Sequence, residues 1–357
     1  MFVDGWKIDI VEDTDTGISV QKESFAGPEK MKVKEEQVYL GDVISSDGKH
    51  FKNVKARKDK SLGTIDQIIQ ILDTVFFGKY HFEVAMILRS SLLLSSLLLN
   101  SEAWVNLSDQ DIRKLEQTDE ILLSKILDSA ANTSNAFKYI ELGIYPIRFE
   151  IMKRKIIFLH YLLQQEKSSM VYKVLQATQN NPVKNDFVQT CTKYLKQLDI
   201  DMSFDQLEKM SEWKLKRLVR TKTAHAGFKY LKEKISGQNI AHIRYDELCM
   251  QEYLLDGNVN TKISQLIFKA RSMTLDIKMQ KKWKYSDTTC IGCGLNDETG
   301  QELLSCDGYV DGKDERLKIP LLYSIFYFGR PSEMFQLAKV LNKKLKLRDK
   351  RIEEMPG

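Results

Sequence analysis

Apolar and polar positions divide the chain into a short strand-like opening and a long helical remainder. Val3 to Val11 alternates loosely, as a half-buried strand does, and acidic Glu12–Asp15 reads as a loop. Tyr39-Leu40-Gly41-Asp42-Val43-Ile44 predicts a strand, followed by the turn pair Asp47-Gly48. The period then changes. Leu62, Ile65, Ile68, Ile69 and Leu72 recur at helical spacing, and Phe82–Leu99 is apolar nearly all round. Glu83 and Arg89 interrupt that run, and a charge at its centre favours a buried core helix over a membrane span. Ser108-Asp-Gln-Asp111 fits a capping box, with Ile112, Leu115, Leu122 and Ile126 on the buried face of the helix it opens. Asn132–Asn135 is loop-like. Pro146 suits the first turn of a helix to about Gln165, with Ile147, Ile151, Phe158 and Leu162 toward a core. Asn180-Asn181-Pro182 breaks the pattern, Ser203–Gln206 repeats the capping box, and residues 183–240 read as helical. Near the end, Leu337, Val340, Leu341, Leu345 and Leu347 mark an amphipathic helix. The expected fold is mostly α with a short N-terminal β-hairpin or strand region.

Charge changes this picture locally. The 357 residues carry a net charge of only +5, but Lys49, Lys52, Lys55, Arg57, Lys58 and Lys60 face one acid, Asp59. Such a run is either a solvated helix face or a phosphate-contacting surface that gives affinity without sequence specificity. Arg148, Lys153, Arg154 and Lys155 form a second cluster, and Lys209, Lys214, Lys216, Arg217, Arg220 and Lys222 a third. Trp213, at helical spacing with Leu207, Met210 and Leu218, reads as core more readily than as a base-stacking platform. The tail is basic again from Lys339 through Lys343, Lys344, Lys346, Arg348 and Lys350 to Arg351. His160 lacks neighbours that would complete a catalytic constellation, so a satisfied structural histidine is expected.

Five cysteines, an odd number, and a beginning without an apolar signal segment point to a reducing intracellular compartment, nuclear or cytoplasmic. Cys191 and Cys249 lie in helical contexts and read as buried thiols. Cys290-Ile-Gly-Cys293, with Gly294 next and Cys306 beyond, has the spacing of a tetrahedral zinc site; Cys306 supplies a third thiolate, and a structural site wants four ligands. A redox Cys-x-x-Cys fits less well, since no thioredoxin-like βαβ pattern surrounds it.

Tyr39-Leu-Gly-Asp-Val-Ile-x-x-Asp-Gly, the basic and apolar helices ending Asn100-Ser101-Glu102-Ala103-Trp104, Tyr139-Ile-Glu-Leu-Gly-Ile-Tyr-Pro146-Ile-Arg148, and the cysteine knuckle together resemble the C-terminal part of a LINE-type (non-LTR) retrotransposon reverse transcriptase. That resemblance implies terminal palm strands over 1–48, a helical thumb over 49–165, a helical connector over 166–284, a knuckle over 285–310 and a basic helical tail over 311–357. It implies that Tyr39 and Gly41 lie near a primer terminus and that Lys49, Lys52, Lys55, Arg57 and Lys58 contact RNA, DNA or an RNA–DNA hybrid. The family's knuckle is Cys-x2-Cys-x8-His-x3-Cys; this chain has Glu302 at the His position, so the expected ligands are Cys290, Cys293, Cys306 and Glu302, holding zinc unless the site is a metal-free remnant. The family is RNA-directed DNA polymerase, whose paired aspartates bind Mg²⁺. Phe2-Val3-Asp4-Gly5 has Gly where the second Asp belongs, and no Asp-Asp pair occurs anywhere in the sequence. The expectation is therefore a primer–template-binding part with no catalytic residue, no Mg²⁺ and no polymerase activity alone, joined in function to the rest of a polymerase. The competing expectation is a helical protein-interaction module or decayed remnant with no nucleic-acid role.

Overall fold

A computed structural model describes residues 50–75, 80–105, 107–181, 183, 186–238, 240, 243, 245–255, 260–281, 286–309 and 323–354, together with Asp42, Val43 and the backbone of six strands before residue 46. It is a mostly α protein. β1 (Phe2–Val3), β2 (Trp6–Asp13), β3 (Gly17–Lys22) and β4 (Glu29–Lys30) form an antiparallel sheet in sequence order. β5 (Glu36–Tyr39) and β6 (Asp42–Ser45) form a second antiparallel pair, in which Tyr39 faces Asp42. The single strand expected over 39–44 is thus two strands. Leu40 and Gly41 lie outside the described residues, as do Asp4, Lys49 and the Asp47-Gly48 pair.

α1 (Phe51–Thr74) follows as one 24-residue helix. It buries Val54, Ile65, Ile68 and Leu72, while Ile69 is half-buried and Leu62 lies outward. The apolar run is not one regular helix: α2 (His81–Leu88) passes into a π-helical turn, Arg89–Leu93, before α3 (Leu94–Leu97). Arg89 opens this turn; it is buried and donates through Nε and an Nη to the two oxygens of Asp119, 2.7 Å each. Nor is the run buried all round, because Ile87 and Leu92 face outward.

α4 (Asp109–Leu127) starts at Ser108, whose Oγ accepts the Asp111 N–H at 3.1 Å and donates to the Asp111 carboxylate at 2.7 Å; this is half of the expected capping box. α5 (Asn135–Glu141), α6 (Ile147–Leu163), α7 (Met170–Asn180), α8 (Phe187–Gln197), α9 (Phe204–Glu208) and α10 (Glu212–Ile235) complete the central helices. Pro146 caps α6, and Ser203 and Gln206 close a full capping box on α9. α11 (Glu252–Leu255), α12 (Thr261–Arg271), α13 (Gly300–Ser305), α14 (Ile325–Phe328) and α15 (Pro331–Glu354) follow.

Three apolar cores result. One joins α1, α2, α4 and α5 to α12, the cysteine segment, α14 and α15. A second lies among α6 to α10, and a third joins Val54, Leu94, Leu97, Leu98 and Trp104 to Leu115, Ile147 and Ile151. The cores cross the boundaries drawn at residues 165 and 284: α6 shares a core with the helices after it, and the knuckle packs into the core of the first helices. Glu141, fully buried, anchors this joint. It accepts from Tyr245, from Tyr253 at 2.5 Å, and from Arg271 Nη2 at 2.8 Å, while Arg271 also donates to the Phe326 carbonyl at 2.6 Å. Two residues on, Gly143 adopts φ +66°, and a Cβ there would stand 2.1 Å from the Met250 backbone nitrogen. Tyr139 donates to Asp119 at 3.0 Å. The Tyr139–Pro146 stretch is therefore a packing joint between early and late elements.

Candidate metal centre and basic surfaces

The knuckle is built by backbone geometry first. The Cys290 N–H donates to Asn296 O at 2.7 Å, the Gly294 N–H returns to Cys290 O at 2.8 Å, and Gly294 takes φ +69°, which folds Cys290–Cys293 back on itself. A bridge between Thr289 and Asp297 closes the loop. Thr299 then caps α13 by accepting the Glu302 N–H at 2.9 Å, so that Glu302 on the first turn and Cys306 at the C-cap turn toward the cysteine loop. Gly292 sits so close to Cys306 Sγ that a Cβ would approach it to 2.8 Å.

The result brings together all four residues named from the sequence: one ligand atom each from Cys290, Cys293, Glu302 and Cys306 lies within 4.8 Å of every other. Cys290 and Cys306 Sγ are 3.8 Å apart, and Cys293 Sγ is 3.3 Å from Glu302 Oε1. An edge of roughly 3.8 Å is what tetrahedral Zn–S bonds of about 2.3 Å produce, so the donor atoms fit a four-coordinate ion. The cluster could hold a metal ion. Three thiols exclude a hard-cation preference, because Ca²⁺ and Mg²⁺ take oxygen ligands. Backbone amides of Asn296 and Leu295 hold the half-buried Cys293 thiol below its usual range, whereas burial pushes Cys306 up to about 12. Glu302 is oriented by Asn296, whose amide donates to Oε2 at 3.2 Å.

The basic tail is not a solvated face throughout. Lys344, fully buried, donates to Leu304 O at 2.5 Å and Cys306 O at 3.3 Å. Arg348 Nε donates to Glu298 Oε1 at 2.8 Å, and both side chains are buried. Glu298 Oε1 also accepts the Lys278 N–H at 3.0 Å, and Arg351 donates to Gly292 O at 3.1 Å. α15 thus clamps the knuckle from behind through three cations, while Lys339, Lys343, Lys346 and Lys350 are exposed. Nothing local in the sequence marks Glu298 or Lys344 as partners, because they meet residues 50 and 40 positions away.

The first basic run divides in the same way. Lys52, Lys55 and Lys60 are exposed and Lys58 is half-buried. Arg57, expected with them, turns inward instead: it is buried and donates to Asp42 at 2.6 Å. Asp42 also accepts from Asn53 at 3.1 Å and from Asn100 at 2.6 Å, and Asn53 Oδ1 accepts the Val43 N–H at 3.3 Å. Burial raises the Asp42 carboxyl, but the bonds from Arg57, Asn100 and Asn53 outweigh it and hold the group below the usual carboxylate range. Asp42, which the sequence reading gave no role, therefore docks β6 onto α1 and the end of the apolar run. The side chain of Tyr39 and all of Gly41 and Lys49 lie outside the described residues.

The α6 cations are paired within the fold as well. Arg148 donates to both Glu116 oxygens at 2.7 and 2.9 Å, Lys153 and Arg154 pair with Glu150, and Lys155 is buried on the Glu102 and Trp104 carbonyls. Arg148 and Glu116 also line a cleft of about 470 Å³ with Arg113, Glu120 and Tyr139; both its carboxylates are taken by arginines. His160 is buried with Nε2 2.9 Å from Met210 O, a satisfied structural histidine as expected. Two expectations fail. Cys249 is exposed and non-helical, because the segment before α11 is drawn across Glu141 as an irregular strap that bridges Met250 to Leu142. Trp213 is 66% exposed, because the buried stripe of α10 runs through Leu215, Val219 and Thr223 on the opposite face. Among the described residues, no helix is long and apolar enough to cross a membrane. The chain matches no protein-family model, no curated protein and no solved structure.

Proposed function

We propose that the chain is the primer–template-holding part of a LINE-type reverse transcriptase, with a zinc knuckle that stiffens its C-terminal half and no polymerase chemistry of its own. The observation that carries the reading is the one-sided α1: Lys52, Lys55 and Lys60 face solvent beside a hairpin that Asp42 and Arg57 lock in place. Lysines on a rigid helix neutralise phosphates and release counterions, which gives sequence-independent affinity. Zinc is the ion that best suits three thiolates and one carboxylate at these separations. When bound it would supply a structural crosslink; Cys290, Cys293, Glu302 and Cys306 would hold it, and α15 would keep those residues in place.

Fluorescence anisotropy with a labelled RNA–DNA primer–template tests the reading. Binding that weakens steeply as salt rises supports it. No binding at low salt by the folded, zinc-loaded chain favours a helical protein-interaction module instead, and primer extension by this chain alone contradicts the absence of chemistry.

A further inference from the structure

The first three turns of α10 present a surface that neither the hairpin–α1 reading nor the knuckle uses. Trp213 stands outward at 66% exposure on a helix whose buried face is Leu215 and Val219. Arg217 and Arg220 follow at i+4 and i+7, on the same outward ridge. The Arg217 guanidinium lies over the indole, 5.5 Å from the ring centroid. Lys214 and Lys216 flank this ridge and are exposed; the acid of this stretch, Glu212, pairs with Lys216 on its side. An exposed indole costs solvation, and nothing among the described residues covers it.

We infer that this ridge is a contact for single-stranded nucleic acid, with Trp213 stacking on an unpaired base and Arg217, Arg220 and Lys214 on the adjacent phosphates. Two features favour that occupant. The charge is complementary to a polyanion. The ridge also sets one exposed ring among exposed cations, Lys214, Arg217 and Arg220, which is what a base and its backbone require. The surface is independent of α1: its part in binding does not require that a paired hybrid be held elsewhere.

The test uses the full chain and a labelled oligouridine too simple to pair, beside the RNA–DNA hybrid. Trp213→Ala is expected to weaken oligouridine binding roughly tenfold or more, with Trp213→Phe retaining most of the affinity, since a stacked base contributes enough for that loss. Hybrid affinity is expected to change less than threefold. Binding of oligouridine should quench indole fluorescence in the parent chain and not in Trp213→Phe. Unchanged oligouridine affinity in Trp213→Ala, or an equal loss for hybrid and single strand, would overturn the stacking contact. Quenching by anionic phosphatidylserine vesicles but not by oligouridine would overturn it in favour of a membrane surface. Loss of hybrid binding in Lys52→Ala/Lys55→Ala with oligouridine binding intact would show the two surfaces to be separate, which the inference requires.

Discussion

Replacing Arg348 by Met tests whether α15 is a working part of the candidate metal centre. In the folded chain Glu298 is fully buried and holds three contacts: Arg348 at 2.8 Å, the Lys278 N–H at 3.0 Å and Tyr309 Oη at 3.4 Å. Removing one member of a buried ion pair costs about 3–5 kcal/mol, because the other charge stays desolvated. Two contacts remain to Glu298, so the lower end, about 3 kcal/mol, applies. Glu298 lies between Asn296, whose carbonyl holds Cys290, and Thr299, which caps α13, so the loss falls on the ligand loop itself. Where metal binding depends on that loop being ordered, about 3 kcal/mol corresponds to roughly a hundredfold weaker zinc affinity. The assays are urea unfolding and zinc competition against a chromophoric chelator. Adding Glu298→Gln to Arg348→Met should recover most of the stability, because no uncompensated charge is then buried. If Arg348→Met changes stability by less than about 1 kcal/mol and zinc affinity by less than threefold, the clamp has no such role.

Three further outcomes are expected. The purified chain should carry about one zinc, and its chelation should lower Tm by several degrees with loss of near-UV signal from Tyr309, which touches Cys290. Gly143→Ala should destabilise by at least about 2 kcal/mol, read by urea unfolding, since φ +66° and the 2.1 Å approach to Met250 both oppose a Cβ. Burial holds the Lys155 ammonium down to about 8 from 10.5. Between those values the unfolded chain binds more protons than the folded one, so this group makes stability rise with pH from about 8, by up to about 1.4 kcal/mol per unit; comparing unfolding of the parent and Lys155→Met at pH 7.5 and 9.5 should show that rise only in the parent.

Much of the local structure was legible in the sequence. Helical periodicity placed the core face of α1, the Ser108 and Ser203 caps were visible as short patterns, and the Cys-x-x-Cys spacing with Glu302 and Cys306 beyond named the four residues that the fold gathers. What escaped was set by partners far along the chain. Four cations within eight residues of α6 cannot share one face, and they found carboxylates or carbonyls, Lys153 and Arg154 sharing Glu150; composition reads such a cluster as a surface. Arg57 differs from Lys52 and Lys55 only in pointing toward Asp42. Arg89 looked like a blemish in an apolar run, but it is buried against Asp119 on α4 at the start of a π turn. Trp213 shares spacing with Leu207, Met210 and Leu218, yet Leu207 and Met210 precede α10 and do not continue its face. The Glu298–Arg348 pair spans 50 residues and leaves no local trace.

The most direct measurement of the central claim is the salt dependence of hybrid binding for the parent chain and for Lys52→Ala/Lys55→Ala/Lys58→Ala, with Arg57→Ala beside them. The account predicts that the triple variant unfolds as the parent does but loses roughly 2–3 from the slope of log K against log salt, about one per phosphate contact removed. It predicts that Arg57→Ala instead loses stability, because Asp42 is left without its strongest partner. A parent slope near zero, or a triple variant with the parent's slope and affinity, would contradict a nucleic-acid role for α1.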